Sequence, residues 1–444
     1  MKIPQRPPDG KTAWDEHQNE INDLLNAYYN TLPEGSKDIR ELVRKYNDTE
    51  YIHWDELRRK KLPRDPVLIW TILKILREND YIKLEIGKVL FFYIVLRKFL
   101  KQLHLIDKAS PASLDRLLDG SLAVVNRQQY LISSLMEEAI ASSQLEGAAT
   151  TRQIAKKILR EGKKPRTHSE RMIVNNYRTI NMVREKKDLS LTPDLILEIH
   201  REITLGTLED EMDENQFRTT DDIVVRDKRD PTLIYYHPPK AAEIPAMIEG
   251  LCTFANSDDE FIHPILKAII IHFLIGYIHP FNDGNGRTAR ALFYWYVLKN
   301  RYDLFEYLSI SRIFVNAPAK YTQAYLLTET DFNDMTYFID FNIGIISRAM
   351  DDLKQYIERK QREQRESIKI VDQIPDLSFR QAEILKDIIK HPDRPYSVGE
   401  IAGKYKVSLQ TARSDLLFLE QIGKVRKFKM GKGYAFIKKR DEAH

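Results

Sequence analysis

Along most of this chain, apolar residues return at the three- and four-residue spacing that keeps one face of an α-helix dry. Val67 to Leu76 follow that pattern, as do residues 168–186, 193–204, 241–256 and 263–278. The expected fold class is therefore mainly α. Residues 12–105 read as helix-period segments separated by short breaks; they carry no chemistry of their own, and packing or partner contact is their expected role. Farther on, Ser110 or Ser113 is placed to cap a helix and Gly120 to end one. One segment departs from the helical habit. In "FRTTDDIVVRDKRDPTLIYYHPP", residues 217–239, the runs "IVV" and "LIYY" flank a polar turn, which predicts a β-hairpin with a longer loop. A hairpin inserted in a helical scaffold reads as a flap, and such loops commonly carry binding function.

The pattern also divides the chain. A helical region over 1–105 precedes a central domain over 106–365, which ends in the charged helix "RAMDDLKQYIERKQREQRES". The remainder, 376–444, has helix patterns at 378–391, 398–405 and 408–422, then two strand-like runs around "MGKG". Three helices and a β-hairpin make the winged-helix plan, a variant of helix-turn-helix.

Composition changes this picture little. At 444 residues the chain is too long for one ordinary core, and 43% hydrophobic with 30% charged residues describes a globular protein. A net charge of +4 is mild, so binding to nucleic acid would need a local patch. Residues 424–440 supply one, with eight Lys/Arg and no acid, against which the candidate recognition helix carries Asp415 and Glu420. The single cysteine, Cys252, excludes an internal disulfide and a multi-cysteine zinc site, and its setting "IEGLCTFAN" reads as a core thiol. The N-terminus has no apolar signal segment, and "VLFFYIVL" and "AIIIHFLIGYI" fall short of the ~20 residues of a membrane helix. No membrane partner is expected, and a cytoplasmic location is.

The densest chemistry is "IHPFNDGNGRTARAL", residues 278–292, a polar loop between two apolar helix patterns. Gly284 and Gly286 allow positive φ and close approach to backbone N–H groups. A loop that feeds free amides into a helix N-terminus suits phosphate, and the guanidiniums of Arg287 and Arg290 add to that. Asp283 can hold Mg²⁺, which commonly binds through one or two carboxylates plus substrate phosphates. His279, at the start of the loop, is placed to act as general base. A Walker A loop would need Lys and Ser/Thr after the second glycine, and an EF-hand would need another glycine register; neither fits. On residue types alone, an ordinary Asn-Gly turn with a neutral histidine stays open.

The string itself goes further. "HPFNDGNGRTAR" resembles the signature of the Fic (filamentation induced by cAMP) family, HPFx(D/E)GNGRxxR, at every fixed position. The resemblance spans roughly residues 110–350 and implies a helical Fic-type domain that transfers AMP from ATP to a hydroxyl of a target protein, or of itself. By that resemblance His279 deprotonates the target Ser, Thr or Tyr, and Asp283 binds Mg²⁺ on the nucleotide phosphates. Gly284, Asn285 and Gly286 form an anion nest with Arg287 beyond it; Phe281 anchors the loop, and Asn282 belongs to the same nucleotide-binding stretch. The flap covers the nucleotide with Leu233, Ile234, Tyr235 and Tyr236 nearest. Many relatives carry an Asn facing the nucleoside where this chain has Tyr294, which bears on ATP preference; Tyr321 and Tyr325 are candidates to stack on a base.

Two guanidiniums beside open amides make a pocket that a nearby carboxylate can occupy. "SSQLEGA", residues 142–148, resembles the family's inhibitory motif (S/T)xxxE(G/N) with Ser142, Glu146 and Gly147. It implies an inhibitory helix near 133–147 whose Glu146 pairs with Arg290 and displaces the terminal phosphate of ATP. The alternative reading of the whole chain is a DNA-binding regulator working through the winged helix, with the Fic domain accessory or transferring another phosphate-containing group. Helical domains of this family often pair, so a homodimer is a further expectation.

Overall fold

In the computed structural model, residues 2–30, 36–109, 123–227, 230–372, 374, 377–405, 407–430 and 433–439 are described. Ser110, Ser113 and Gly120 lie outside the described residues. The chain forms two compact units, 1–353 and 354–444. Among the described residues, no helix is long and apolar enough to cross a membrane.

The first unit opens with helices α1 (Gly10–Tyr29), α2 (Ser36–Val43), α3 (Trp54–Leu57) and α4 (Pro66–Glu78), with a π-helical turn at Arg44–Thr49. Asp65 caps α4 by accepting from the Val67 N–H, and Pro66 occupies the first turn, where no N–H is needed. Ile21, Trp54, Leu57 and Leu73 form the core of these helices. The expectation of helix throughout 12–105 fails at β1 (Ile82–Ile86) and β2 (Val89–Tyr93), an antiparallel hairpin. Gly87, at φ +62°, makes the tight turn, and Ile82, Leu84 and Ile86 alternate with Lys83 and Glu85 as a strand requires. Phe91 and Tyr93 of β2 are buried against the rest of the unit.

Next come α5 (Arg97–Lys108), α6 (Ala123–Leu145), α7 (Arg152–Glu161), α8 (His168–Glu185) and α9 (Pro193–Thr204). The flap strands β3 (Val225–Arg226) and β4 (Ile234–Tyr236) pair antiparallel with a register shift, and are shorter than the runs "IVV" and "LIYY" suggest. Then follow α10 (Ile244–Asn256), α11 (Pro264–Ile278), α12 (Asn285–Lys299), α13 (Ile310–Asn316), α14 (Pro318–Thr330) and α15 (Thr336–Asp372). Cys252 is buried on α10, and burial pushes its thiol up to about 12, out of the range of a nucleophile at neutral pH. Helix α11 is apolar on every side and α12 is at least as fully buried, so the two form the centre of the unit. The polar loop between them is thereby held at both ends by core packing.

The second unit contains α16 (Phe379–Lys390), β5 (Tyr396–Ser397), α17 (Val398–Tyr405), α18 (Leu409–Gln421), β6 (Val425–Met430) and β7 (Gly433–Lys438). The antiparallel sheet has the order β5–β7–β6. Ile384, Leu385, Ile401, Leu416 and Phe436 fill the space between helices and sheet. Of the tip between β6 and β7, Gly431 and Lys432 lie outside the described residues.

Candidate active site

Helix α11 ends at His279, which takes the left-handed conformation (φ 49°, ψ 59°) while its N–H still closes onto Ile275 O at 3.0 Å. A left-handed non-glycine residue costs on the order of 1 kcal/mol, so the surroundings must hold it. Its Nδ1 lies 3.2 Å from the Gly276 carbonyl. A carbonyl only accepts, so Nδ1 carries the proton and Nε2 keeps its lone pair. Burial is the main reason His279 titrates below its ordinary value; the Arg218 charge works the same way, against the Gly276 carbonyl, Glu146 and Asp283.

The loop is tied down from within and from α9. Asn285 accepts from the Phe281 N–H at 3.0 Å and donates to the Phe281 carbonyl at 2.7 Å. The Phe281 ring lies flat on His200 of α9, with centroids 3.6 Å apart and planes within 3°. His200 Nε2 donates to the Asp283 carbonyl at 2.9 Å, and burial lowers this histidine to about 4, so it is neutral there. Gly284 (φ +86°) starts α12 without a side-chain cap; a Cβ there would come 2.8 Å from Thr204 Cγ2. The first-turn N–H groups of α12 are therefore left for a ligand. Asn282 is half-buried with its Oδ1 lacking a partner.

Both arginines of the loop are buried. Arg287 donates to the exposed Asp283 carboxylate at 2.8 Å and to Ile203 O at 3.3 Å, while its Nε has no partner. Arg290 donates from Nε to Ser142 Oγ at 2.9 Å, and from Nη2 to Ser142 O at 2.9 Å and Glu146 Oε1 at 3.0 Å. Its Nη1 has no partner. Ser142 lies in the last turns of α6, and Glu146 and Gly147 just past its end, Gly147 at φ +101°. Helix α6 is in turn fixed to α8: Ser143 Oγ donates to Met172 O at 3.2 Å, and Asn176 Nδ2 to Ala139 O at 3.2 Å. The structure thus brings the Ser142–Gly147 segment and the loop together from 148 residues apart.

Phe217, at the root of the flap, packs on Phe281 with centroids 5.4 Å apart. Tyr236 packs on Tyr277, two residues before His279, at 5.3 Å. Leu233, Ile234, Tyr235 and Tyr236 are all half-exposed, and Tyr235 bonds Asp227 across the hairpin. Tyr294 faces the core instead: its hydroxyl donates to Leu308 O at 3.0 Å and accepts from the Ile310 N–H at 3.1 Å. Tyr321 stacks on Phe314 with centroids 4.3 Å apart and bonds His272 at 2.7 Å, and Tyr325 bonds His272 O at 3.3 Å, so both belong to an aromatic cluster.

Three residues escaped sequence reading. His200 looks like any polar position on an amphipathic helix. Arg218 sits in a stretch with no motif, yet it donates from Nε to His279 O at 2.9 Å and from Nη1 to Thr220 O at 2.7 Å, and also bonds Pro239 O. Glu138, one turn before Ser142, is buried and accepts from Ser309 Oγ at 2.9 Å and the Ser311 N–H at 3.0 Å. Only the "IHREI" spacing, which turns His200 inward with Ile199 and Ile203, offered a signal.

A neutral histidine, an uncapped helix start and two buried guanidiniums thus come together in one loop at the centre of a mainly helical fold. The loop lies in a stretch, residues 190–297, that matches the Fic/DOC family. A "Protein adenylyltransferase Fic" of Nematostella vectensis is 31% identical over 172 residues, 34% of this chain and 38% of that protein. Another from Culex quinquefasciatus is 27% identical over 195 residues, 43% and 37% of the two chains. The chain thus spans little more than a third of the length of these relatives. The crystal structure of a Fic family protein from Desulfovibrio desulfuricans G20 superposes with a TM-score of 0.51 at 17% identity, covering 79% of this chain and 99% of that one. At that identity the shared feature is the mainly helical fold.

Proposed function

We propose that the protein is an adenylyltransferase that moves AMP from ATP to a hydroxyl of a target protein or of its own chain. The observation that carries this reading is His279, whose Nδ1 is committed to the Gly276 carbonyl so that Nε2 keeps its lone pair, at the head of the loop that leads into the uncapped start of α12. In this reading Nε2 takes the proton of the target hydroxyl and the hydroxyl oxygen attacks the α-phosphorus. The bond to the bridging oxygen breaks, and pyrophosphate leaves with the electron pair. The free amides of α12 and the unpaired donors of Arg287 and Arg290 face the charge that the phosphates carry. Asn282, Asn285 and Phe281 keep the nest in shape, and the flap residues Leu233 to Tyr236 cover it and present a strand edge to the target.

Among the described residues no group of three or more acids, histidines or cysteines is arranged to hold a metal. One exposed carboxylate, Asp283, has a single oxygen on Arg287 and the other left over. That donor set suits Mg²⁺ shared with substrate phosphates, where it would neutralise charge on the nucleotide.

The resting enzyme is held shut by Glu146, whose carboxylate sits on Arg290 where the terminal phosphate of ATP would bind. Arg290 is buried, so the site resists having that guanidinium unpaired until phosphate replaces the carboxylate. Glu146→Gly should raise self-labelling by α-labelled ATP with Mg²⁺ by tenfold or more; an unchanged rate would remove the switch. His279→Ala in that background should abolish labelling, and surviving transfer would remove the assigned base.

A second reading, binding of double-stranded DNA by the 354–444 unit as a winged helix, is favoured by one observation. Asp415, which would repel phosphate from α18, is buried and paired with Arg380 at 2.6 Å. The exposed residues of α18 include Gln410, Arg413 and Ser414, with Leu409 and Gln421 at its ends and Glu420 half-exposed, beside Arg426 and Lys429 of β6. The full chain should retard a DNA duplex of about 30 bp at low salt and release it as salt rises. Arg426→Glu with Lys429→Glu should abolish the shift; retardation that ignores both changes would sink this reading.

A further inference from the structure

We infer that Arg218 is a positioning residue for the transfer step, pinning the catalytic histidine and both ends of the flap as one rigid piece. The inference rests on the adenylyl-transfer reading above and extends it to a residue outside the loop. Arg218 is 5% exposed, and its whole guanidinium fork is spent on main-chain carbonyls. Nε donates to His279 O at 2.9 Å, Nη1 to Thr220 O at 2.7 Å, and Nη2 to Pro239 O. Its own N–H donates to Pro280 O at 2.8 Å. Thr220 and Pro239 bracket the flap strands, so the side chain joins the start of the flap, its end and the His279 carbonyl, while the Arg218 main chain holds the Pro280 carbonyl beside it. The left-handed turn at His279 is the point that needs such a hold, because its carbonyl is turned out of α11.

The choice of arginine has a second consequence. Its partners are neutral carbonyls, and the acids near it are both exposed, Asp221 at 3.8 Å and Asp222 beside it. The positive charge therefore stays largely uncompensated beside His279 and disfavours its protonation, in the same direction as burial. The other charged groups that face His279 are Glu146 and Asp283, both of which pull the opposite way. Arg218 thus holds the base in place and helps to keep it in its active, neutral form. A lysine could supply the charge but not the fork, and a glutamine could supply a donor but not the charge.

The test uses the full chain in the Glu146→Gly background, so that only Arg218 varies while Asp283 stays constant, and follows self-transfer from saturating Mg-ATP across pH. Arg218→Met should slow transfer by tenfold or more and move the acid limb of the rate profile to higher pH, because the neutral histidine is lost sooner. Arg218→Lys should slow transfer similarly with the limb unmoved. Arg218→Gln, which retains a donor, serves as the charge-free variant should the methionine form fail to fold. A charge-free variant that folds and keeps the parent's acid limb, or that keeps its rate, overturns the inference. If the Glu146→Gly parent itself transfers nothing, the functional reading fails instead, and the two failures are told apart.

Discussion

A Cβ built on Gly286 would overlap Glu146 Oε1 and come 3.1 Å from Arg290 Nη1. The glycine is helical, so it is kept for space and not for its backbone freedom. Gly286→Ala should therefore push the carboxylate off a buried guanidinium and destabilise the protein by roughly 1–3 kcal/mol. In Glu146→Gly the obstacle is gone, and the same change should cost under about 1 kcal/mol. Urea unfolding of the four proteins of this cycle measures the coupling; equal costs in both backgrounds would mean that Glu146 does not occupy the place described. His279 illustrates a different residue-scale point: its identity is plain in the string, whereas its tautomer follows from one carbonyl, that of Gly276, which any sequence would supply.

At the scale of elements, the contact of Ser142 and Glu146 with Arg290, proposed to be inhibitory, depends on where α6 lies. Ser143 and Asn176 fasten α6 to α8 on either side of Ser142, which meets Arg290: Ser143 follows it, and Asn176 holds Ala139, three residues before it. Asn176→Ala should unfasten the helix, at a cost of about 1–3 kcal/mol for the buried groups left unpaired. Self-labelling by ATP should rise to a level between wild type and Glu146→Gly. Labelling no higher than wild type in a folded variant would show that α6 holds its place without Asn176. The flap makes the opposite case. Its strands are only two and three residues long, and its position is set by Phe217, Tyr236 and Arg218 more than by strand pairing.

Across the whole first unit, the N-terminal helices meet the segment that joins α14 to α15 through buried polar groups. Arg77 is 1% exposed and bonds Asn47 Oδ1 at 2.7 Å and Ile52 O at 3.0 Å, with its guanidinium 4.1 Å from the Tyr51 ring centre. Lys74 reaches Asp331 at 3.1 Å, and Tyr51 bonds Asp334 at 2.5 Å. His53 accepts the Asp55 N–H on Nδ1 at 3.1 Å, so Nε2 carries the proton that goes to Thr330 Oγ1 at 3.2 Å. Burial lowers His53 from 6.5 to about 4. The unfolded chain takes up a proton near pH 6.5 while the folded one resists until about 4, so stability falls as pH drops through that window. For His53 the loss is on the order of 3 kcal/mol, and His200 and His272, also lowered by burial, add to it. Urea unfolding between pH 7 and 4.5 should show the decline, and His53→Gln should make it shallower; an unaltered slope would mean that His53 is already protonated in the fold.

By itself the sequence determined the helical class, the polar loop between two apolar helices and the glutamate four residues after Ser142. These are local matters: spacing sets which face of a helix is dry, and a loop caught between two apolar helices must be tight. Even the hairpin at residues 82–93 had its alternation and its Gly87 in plain view, hidden only by an apolar run that helix spacing also fits. The tertiary structure decided what is set by neighbours distant in the chain. It put Ser142 and Glu146 on Arg290, laid His200 against Phe281, turned Tyr294 into the core and closed Arg218 over His279. Hydrogen bonds to main-chain carbonyls leave no mark on residue type, and a buried charge declares its partner only once packing has removed the water between them.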